Sequence, residues 1–132
     1  MKTNETALKH AALAYLALCG FDVAKPKGKK RPAKIGCVWK QEVGGHEAIY
    51  APTGKRRFVR FGVPGVSDII GCGPDGRFCA FEAKVGYRTT TDDQDAFILA
   101  VKRNHGVAFA FWSLAELQTE LMASGYKTVP LA

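Results

Sequence analysis

Residues 65–84 read GVSDIIGCGPDGRFCAFEAK and contain two apolar segments on either side of Gly73-Pro-Asp-Gly76. Pro74 suits the second position of a turn, and Gly76 suits the left-handed position of a three-residue hairpin loop with a bulge. A loop centred on Asp75 predicts an antiparallel hairpin in which residues equally distant from Asp75 pair across the two strands.

The predicted register brings three charged side chains together at one end of this hairpin. Asp68 stands opposite Glu82, so their Cβ atoms should be roughly 5 Å apart. Lys84 lies two residues beyond Glu82 and projects from the same face. Both faces of the hairpin are otherwise apolar, so we expect strands that are buried on both sides. Charge buried in this way is costly unless it has a partner.

Two interpretations of this charged cluster remain open on the residues alone. The first is a structural salt-bridge cluster between Lys84 and the two acids. The second is a cation site, because two carboxylates with one lysine leave a net negative charge. Carboxylate oxygens without a nearby Cys or His pattern favour Mg²⁺ over zinc. Such a cation would lower the pKa of a bound water and neutralise the negative charge of a phosphodiester. Lys84 would stabilise the negative charge that develops on the phosphate during the reaction.

The basic residues of the chain are concentrated in one segment. The 132 residues carry a formal charge of +7, and residues 25–60 hold eleven basic residues against two acids, Glu42 and Glu47. A surplus of this kind favours a polyanionic partner, and its Pro/Gly interruptions favour a nucleic acid over a membrane-bound helix. The alternative is a solubilising segment. The predicted contacts to nucleic acid are Lys25, Lys27, Lys29, Lys30, Arg31, Lys34, Lys55, Arg56, Arg57 and Arg60.

The rest of the chain predicts one α/β domain over residues 1–132, with no internal repeat and no membrane span. Its four cysteines have no metal-binding spacing, so we expect free thiols in a reducing, cytoplasmic compartment. Thr3 and Gly20 are the predicted caps of a first helix, on whose inward face Glu5 lies. The predicted strands are 21–23, 35–40, 58–61, 68–72, 77–85 and 107–112, with a loop or hairpin tip around 44–54 and helices over 91–104 and 113–125.

Asp68 with Glu82-Ala83-Lys84 resembles the PD-(D/E)xK nuclease superfamily. A longer run resembles the virus-type replication-repair nuclease (VRR-NUC) domain, as it stands alone in phages and prophages, over about residues 3–112. That run comprises Arg57 to Gly71, Asp75 to Phe78, Glu82 to Lys84 and Thr91 to Gln94. The resemblance implies a restriction-endonuclease-like core, in which helices flank a central mixed β-sheet. It also implies dependence on Mg²⁺ or Mn²⁺ and cleavage of branched DNA, in a bacterial or phage-infected cell.

The resemblance also implies roles for individual residues. Asp68, Glu82 and the carbonyl of Ala83 would be metal ligands, and Lys84 would be catalytic. Gln94 would point toward the metal or the scissile phosphate, and Glu5 would match the family's first-helix acid. On the residues alone, Gln94 is equally well explained by a capping box with Thr91, and Glu5 by the helix dipole.

The resemblance implies that the function is a Mg²⁺-dependent, structure-selective endodeoxyribonuclease. A small domain with one metal site would resolve four-way (Holliday) junctions by paired nicks as a homodimer. The alternatives are a nuclease acting on flaps or other branched DNA, another type of nuclease within the superfamily, and a non-catalytic nucleic-acid-binding module.

Overall fold

The computed structural model describes residues 4–41 and 44–131; between residues 42 and 61 it describes only the side chains of residues 49 and 51–57. Helices and strands follow one another in the order α1 (Glu5–Leu18), β1 (Val38–Lys40), β2 (Gly44–Tyr50), β3 (Lys55–Phe61), β4 (Ile69–Cys72), β5 (Phe78–Ala83), α2 (Asp92–Arg103), β6 (Val107–Phe111) and α3 (Leu114–Ala123).

The core of the fold is a mixed four-stranded sheet in the order β1-β4-β5-β6. Strand β4 is antiparallel to both β1 and β5, whereas β5 and β6 run parallel. Strands β2 and β3 form a separate antiparallel hairpin. The three helices pack against the four-stranded sheet, so the expectation of an α/β fold with a central mixed sheet flanked by helices is confirmed.

The register predicted for residues 65–84 is confirmed. Ile69 pairs with Phe81 and Cys72 pairs with Phe78, so the strands are symmetric about residue 75. Gly76 has a φ of +90°, and its N–H donates to the carbonyl of Gly73 at 3.0 Å. The turn chemistry of a short local segment therefore sets which residues of β4 and β5 share a face.

The two faces of the sheet bury different helices. On one face Ile69, Phe81 and Phe109 pack against apolar residues of α1 and α3, and the rings of Phe81 and Phe109 stack with centroids 4.6 Å apart. On the other face Ala80 and Ala108 leave room for α2, which packs there through its apolar side. Burial of the hairpin on both faces is confirmed except at its outer end, where Cys72 and Phe78 are exposed.

Three local predictions are corrected or left outside the described residues. The N-cap of α1 is Asn4, whose side chain accepts the N–H of Ala7 at 2.7 Å, whereas Thr3 lies outside the described residues. The loop or hairpin tip predicted around 44–54 is a hairpin tip at residues 51–54 only, because residues 44–50 form strand β2 and pair with β3 despite the low strand propensity of two glycines. Residues 21–23 contribute only an isolated parallel bridge, between Val23 and Val38.

The described residues include no helix with the length and apolar character needed to cross a membrane. All four cysteines are free thiols, as expected from their spacing.

Candidate functional site

Several elements end or begin at one edge of the sheet, and their polar residues meet there. Asp68 directly precedes β4, while Glu82 lies near the end of β5. Because β4 and β5 are antiparallel, the start of one strand adjoins the end of the other. The first turn of α2 contributes Gln94, and α1 contributes Lys9 from its second turn.

The two predicted acids lie together, and the backbone holds them in place. The N–H of Asp68 donates to Glu82 Oε2 at 3.1 Å. In return, the N–H of Ala83 donates to Asp68 Oδ2 at 2.9 Å. A backbone N–H of one segment therefore fixes the carboxylate of the other. We call Asp68 and Glu82 the carboxylate pair. Glu82 is only 2% exposed, whereas Asp68 is partly accessible.

Burial, followed by the negative charge of Asp68, raises the pKa of Glu82 from 4.5 to about 8. Lys84 acts in the opposite direction, with its Nζ atom 3.6 Å from Glu82 Oε1. The lysine is itself buried, so the expected cluster of two acids and Lys84 is present. The raised pKa means that a second negative charge beside Asp68 is unfavourable without a further cation.

The capping box predicted for Gln94 is present, and the same side chain also contacts Glu82. Its Oε1 accepts the N–H of Thr91 at 2.9 Å, while the Thr91 hydroxyl accepts the N–H of Gln94 at 3.2 Å. These two bonds are the predicted capping box. The Nε2 group of the same amide donates to Glu82 Oε1 at 2.9 Å. The cap therefore aims the amide group at the carboxylate pair.

Lys9 belongs to this site, although sequence reasoning did not identify it. Its Nζ atom lies 3.1 Å from Asp68 Oδ1. The available signal was its position four residues after Glu5, which places both side chains on one face of α1. Glu5 lies on the inward side as predicted, but its carboxylate pairs with Arg88, whose Nη1 is 2.5 Å away. The structure therefore brings Lys9, and not Glu5, into contact with the carboxylate pair.

A cavity of about 450 Å³ opens above Asp68 and Gln94. Glu82 and Lys84 do not line it, because they lie buried beneath those two residues. The other lining residues come from α1, the end of β1, the segment before β4 and the start of α2: Thr6, Lys9, Lys40, Gln41, Pro64, Gly65, Val66, Thr91 and Asp93. The hydroxyl of Ser67, next to Asp68, is buried without a hydrogen-bond partner in the described part of the chain.

The donor set around the carboxylate pair fits a hard divalent cation. The described residues contain no group of three or more His, Cys, Asp and Glu side chains, so any metal here would rely on two carboxylates. The N–H of Ala83 points to Asp68, and the carbonyl of a strand residue leaves on the same side as its N–H. Two carboxylates, a carbonyl and room for water in the cavity suit Mg²⁺ or Mn²⁺, which keep several water ligands.

The basic loop of residues 25–34 is an ordered turn that leaves the sheet at the end where Asp68 lies. The backbones of Lys25 and Lys34 exchange two hydrogen bonds, of 2.9 and 3.0 Å. The parallel bridge from Val23 to Val38 means that the chain enters this loop in the direction of β1. Strand β1 ends at Lys40, which pairs with Ile69 beside Asp68.

The second basic segment also originates near the carboxylate pair. The β2–β3 hairpin is inserted between the end of β1 and the start of β4, and the N–H of Gln41 donates to the carbonyl of Asp68 at 2.6 Å. The predicted nucleic-acid contacts with described side chains are all exposed: Lys25, Lys27, Lys29, Lys30, Arg31, Lys34, Lys55, Arg56 and Arg57. The side chain of Arg60 lies outside the described part of the structure.

Comparisons of the chain with protein-family models, with curated proteins and with solved structures gave no match. Its function is therefore argued from the geometry of the carboxylate pair and from the charges around it.

Proposed function

We propose that this protein is a Mg²⁺-dependent, structure-selective endodeoxyribonuclease that resolves four-way DNA junctions as a homodimer. The observation that carries the proposal is the partly buried contact of Asp68 and Glu82, where Gln94 donates a hydrogen bond to the Glu82 carboxylate and Lys84 forms an ion pair with it. An acidic pair beneath an open cavity, at the sheet end from which two basic segments leave, suits hydrolysis of a phosphodiester.

Asp68, Glu82, Lys84 and Gln94 each have a task in this proposal. Asp68, Glu82 and the carbonyl of Ala83 would hold the cation, which supplies an acidic water and neutralises phosphate charge. Lys84 is fixed against Glu82 and provides a positive charge for the developing negative charge on the phosphate. Gln94 keeps Glu82 in one orientation, because its own amide is fixed by the cap at Thr91.

The basic loop and the β2–β3 hairpin would hold the DNA backbone. The lysines and arginines whose side chains are described there are exposed, and both segments leave the sheet at the end that carries Asp68. Contacts of this type are independent of base sequence, because they bind phosphates. Selectivity would then come from the shape of the DNA.

A homodimer follows from the chemistry of junction resolution. Two opposed nicks need two active sites, and the described residues contain one carboxylate pair. A two-fold dimer supplies two sites related by the symmetry of a four-way junction. A monomer would suit flap cleavage, which needs one nick, and this is the first alternative.

A non-catalytic nucleic-acid-binding module is the second alternative, and one observation favours it. Each acid of the carboxylate pair already has a lysine partner, Lys9 for Asp68 and Lys84 for Glu82. These ion pairs would hold the fold together without any cation. A cleavage assay separates the two functions, because only the nuclease needs the acids for chemistry.

The test uses labelled four-way junction, flap and linear duplex DNA, with Mg²⁺ or with EDTA. We expect Mg²⁺-dependent cleavage of the junction that Asp68→Asn and Lys84→Ala reduce at least about 100-fold. DNA binding in a gel-shift assay should change little in both variants. Glu120→Gln is the matched control, since Glu120 is an exposed acid on α3, and it should retain full activity. Full cleavage in EDTA, or by the Asp68→Asn protein, would refute the proposal.

A further inference from the structure

The two oxygens of Asp68 have different surroundings. Oδ2 is tied to the backbone by the N–H of Ala83 at 2.9 Å. Oδ1 faces Lys9, whose Nζ atom lies 3.1 Å away. A cation that binds the carboxylate pair from the cavity would therefore approach the oxygen that Lys9 already holds.

Each acid of the carboxylate pair already faces a lysine before any cation binds. Asp68 and Glu82 are matched by Lys9 and Lys84, one lysine for each acid. A divalent cation at the pair adds two positive charges, and its repulsion acts on the ammonium group that shares Oδ1 with it. Lys84 is buried and held beneath the site, whereas Lys9 is about one-fifth exposed and lines the open cavity. Lys9 is the lysine that can move.

We infer that Lys9 is an exchangeable counter-ion of the metal site, an inference that rests on the proposed nuclease function. In the metal-free protein Lys9 neutralises Asp68. When a divalent cation binds the carboxylate pair, Lys9 leaves Oδ1 and turns into the cavity. There its ammonium group binds a non-bridging oxygen of a DNA phosphate.

This exchange couples metal binding to DNA binding. Lys9 lowers the affinity for the cation in the free protein, because the two compete for one oxygen. A bound cation releases Lys9 for DNA, so the cation should strengthen DNA binding. Since the coupling is reciprocal, DNA should strengthen cation binding by the same factor.

The first test measures Mn²⁺ binding without DNA, from the electron paramagnetic resonance signal of free Mn²⁺. Lys9→Met should bind Mn²⁺ at least about fivefold more tightly than the unchanged protein. Lys9→Gln is a second neutral variant in case the methionine protein does not fold, and Lys9→Arg keeps the charge and should show no gain. Lys102→Met is the matched control, because Lys102 is an exposed lysine in the last turn of α2.

A second test measures binding of a four-way junction by fluorescence anisotropy, with and without Ca²⁺. Ca²⁺ should strengthen binding by the unchanged protein and by Lys102→Met, and it should do so less for Lys9→Met. If Mn²⁺ binding depends on Asp68 but the neutral Lys9 variants leave the Mn²⁺ affinity unchanged or weaken it, this inference is overturned and the nuclease proposal still stands. Absence of Asp68-dependent Mn²⁺ binding in every variant would overturn both.

Discussion

Replacing Glu82 by Gln should change how the stability of the metal-free protein depends on pH. Glu82 is 2% exposed, and its carboxylate accepts hydrogen bonds from Gln94 and from the N–H of Asp68. Burial and the charge of Asp68 raise its pKa from 4.5 to about 8. Between these two pH values the folded chain keeps a proton that the unfolded chain has released. The free energy of unfolding therefore falls as pH rises from about 4.5 to 8, and it levels off above that range.

The size of this effect follows from the same shift. A pKa change from 4.5 to about 8 corresponds to at most about 5 kcal/mol of unfolding free energy. Glutamine stays neutral but has one acceptor oxygen in place of two, and a lost buried hydrogen bond costs about 1–3 kcal/mol at every pH. That loss cancels when two pH values are compared, so we expect the difference in unfolding free energy between Glu82→Gln and the unchanged protein to shift by about 3–4 kcal/mol in favour of the variant between pH 5 and pH 8.

Urea unfolding in EDTA at pH 5, 6.5 and 8 measures this difference directly. Glu120→Gln serves as the control, because Glu120 is exposed and its replacement should leave the pH dependence unchanged. If the Glu82→Gln and unchanged proteins differ by the same free energy at pH 5 and pH 8, Glu82 does not hold a proton near neutral pH, and the reasoning from its burial is refuted.

Three further predictions concern the DNA contacts, the assembly and the cavity wall. Neutralising Lys29, Lys30 and Arg31 together should weaken DNA binding. It should also reduce, by up to about three units, the slope of the logarithm of the binding constant against the logarithm of the salt concentration, measured by anisotropy. An unchanged slope would mean that these charges only aid solubility. Light scattering at micromolar concentration should show a dimer, and the same protein should cleave a cruciform plasmid. A strict monomer that cuts only flaps would indicate flap processing. Gly65 has a φ of +80°, and a Cβ atom there would lie 2.2 Å from the carbonyl oxygen of Asp93. Gly65→Ala should therefore lower the free energy of unfolding by about 2–3 kcal/mol in urea titrations, and equal stability would contradict this close contact.

The contacts that were predictable from the sequence are mostly local. The turn at Gly73–Gly76 determines the register of β4 and β5, and that register places Asp68 against Glu82. The capping box of Thr91 and Gln94 was likewise predicted, because its bonds join residues three positions apart. In each case a short segment contains its own geometric constraint, so the rest of the fold is not needed to infer the contact.

Other features depend on residues that are distant in the chain. Residues 44–50 were expected to belong to the loop or tip of a hairpin and not to its strand, since their glycines disfavour a strand until β3 supplies a partner. Glu5 forms an ion pair with Arg88, 83 positions away along the chain. Sequence periodicity places Glu5 on the inward face of α1, but it does not reveal which side chain lies opposite.

By itself, the sequence determined the α/β architecture, the β4–β5 hairpin and the acids and lysine at its end, because turn residues and short apolar runs act over a few positions. Only the tertiary structure decided that Lys9 contacts Asp68 and that Gln94 reaches Glu82 in addition to capping its own helix. The packing of α1 and α2 on opposite faces of the sheet sets those contacts. Such packing depends on all the side chains between the elements at once, and no short stretch of sequence specifies it.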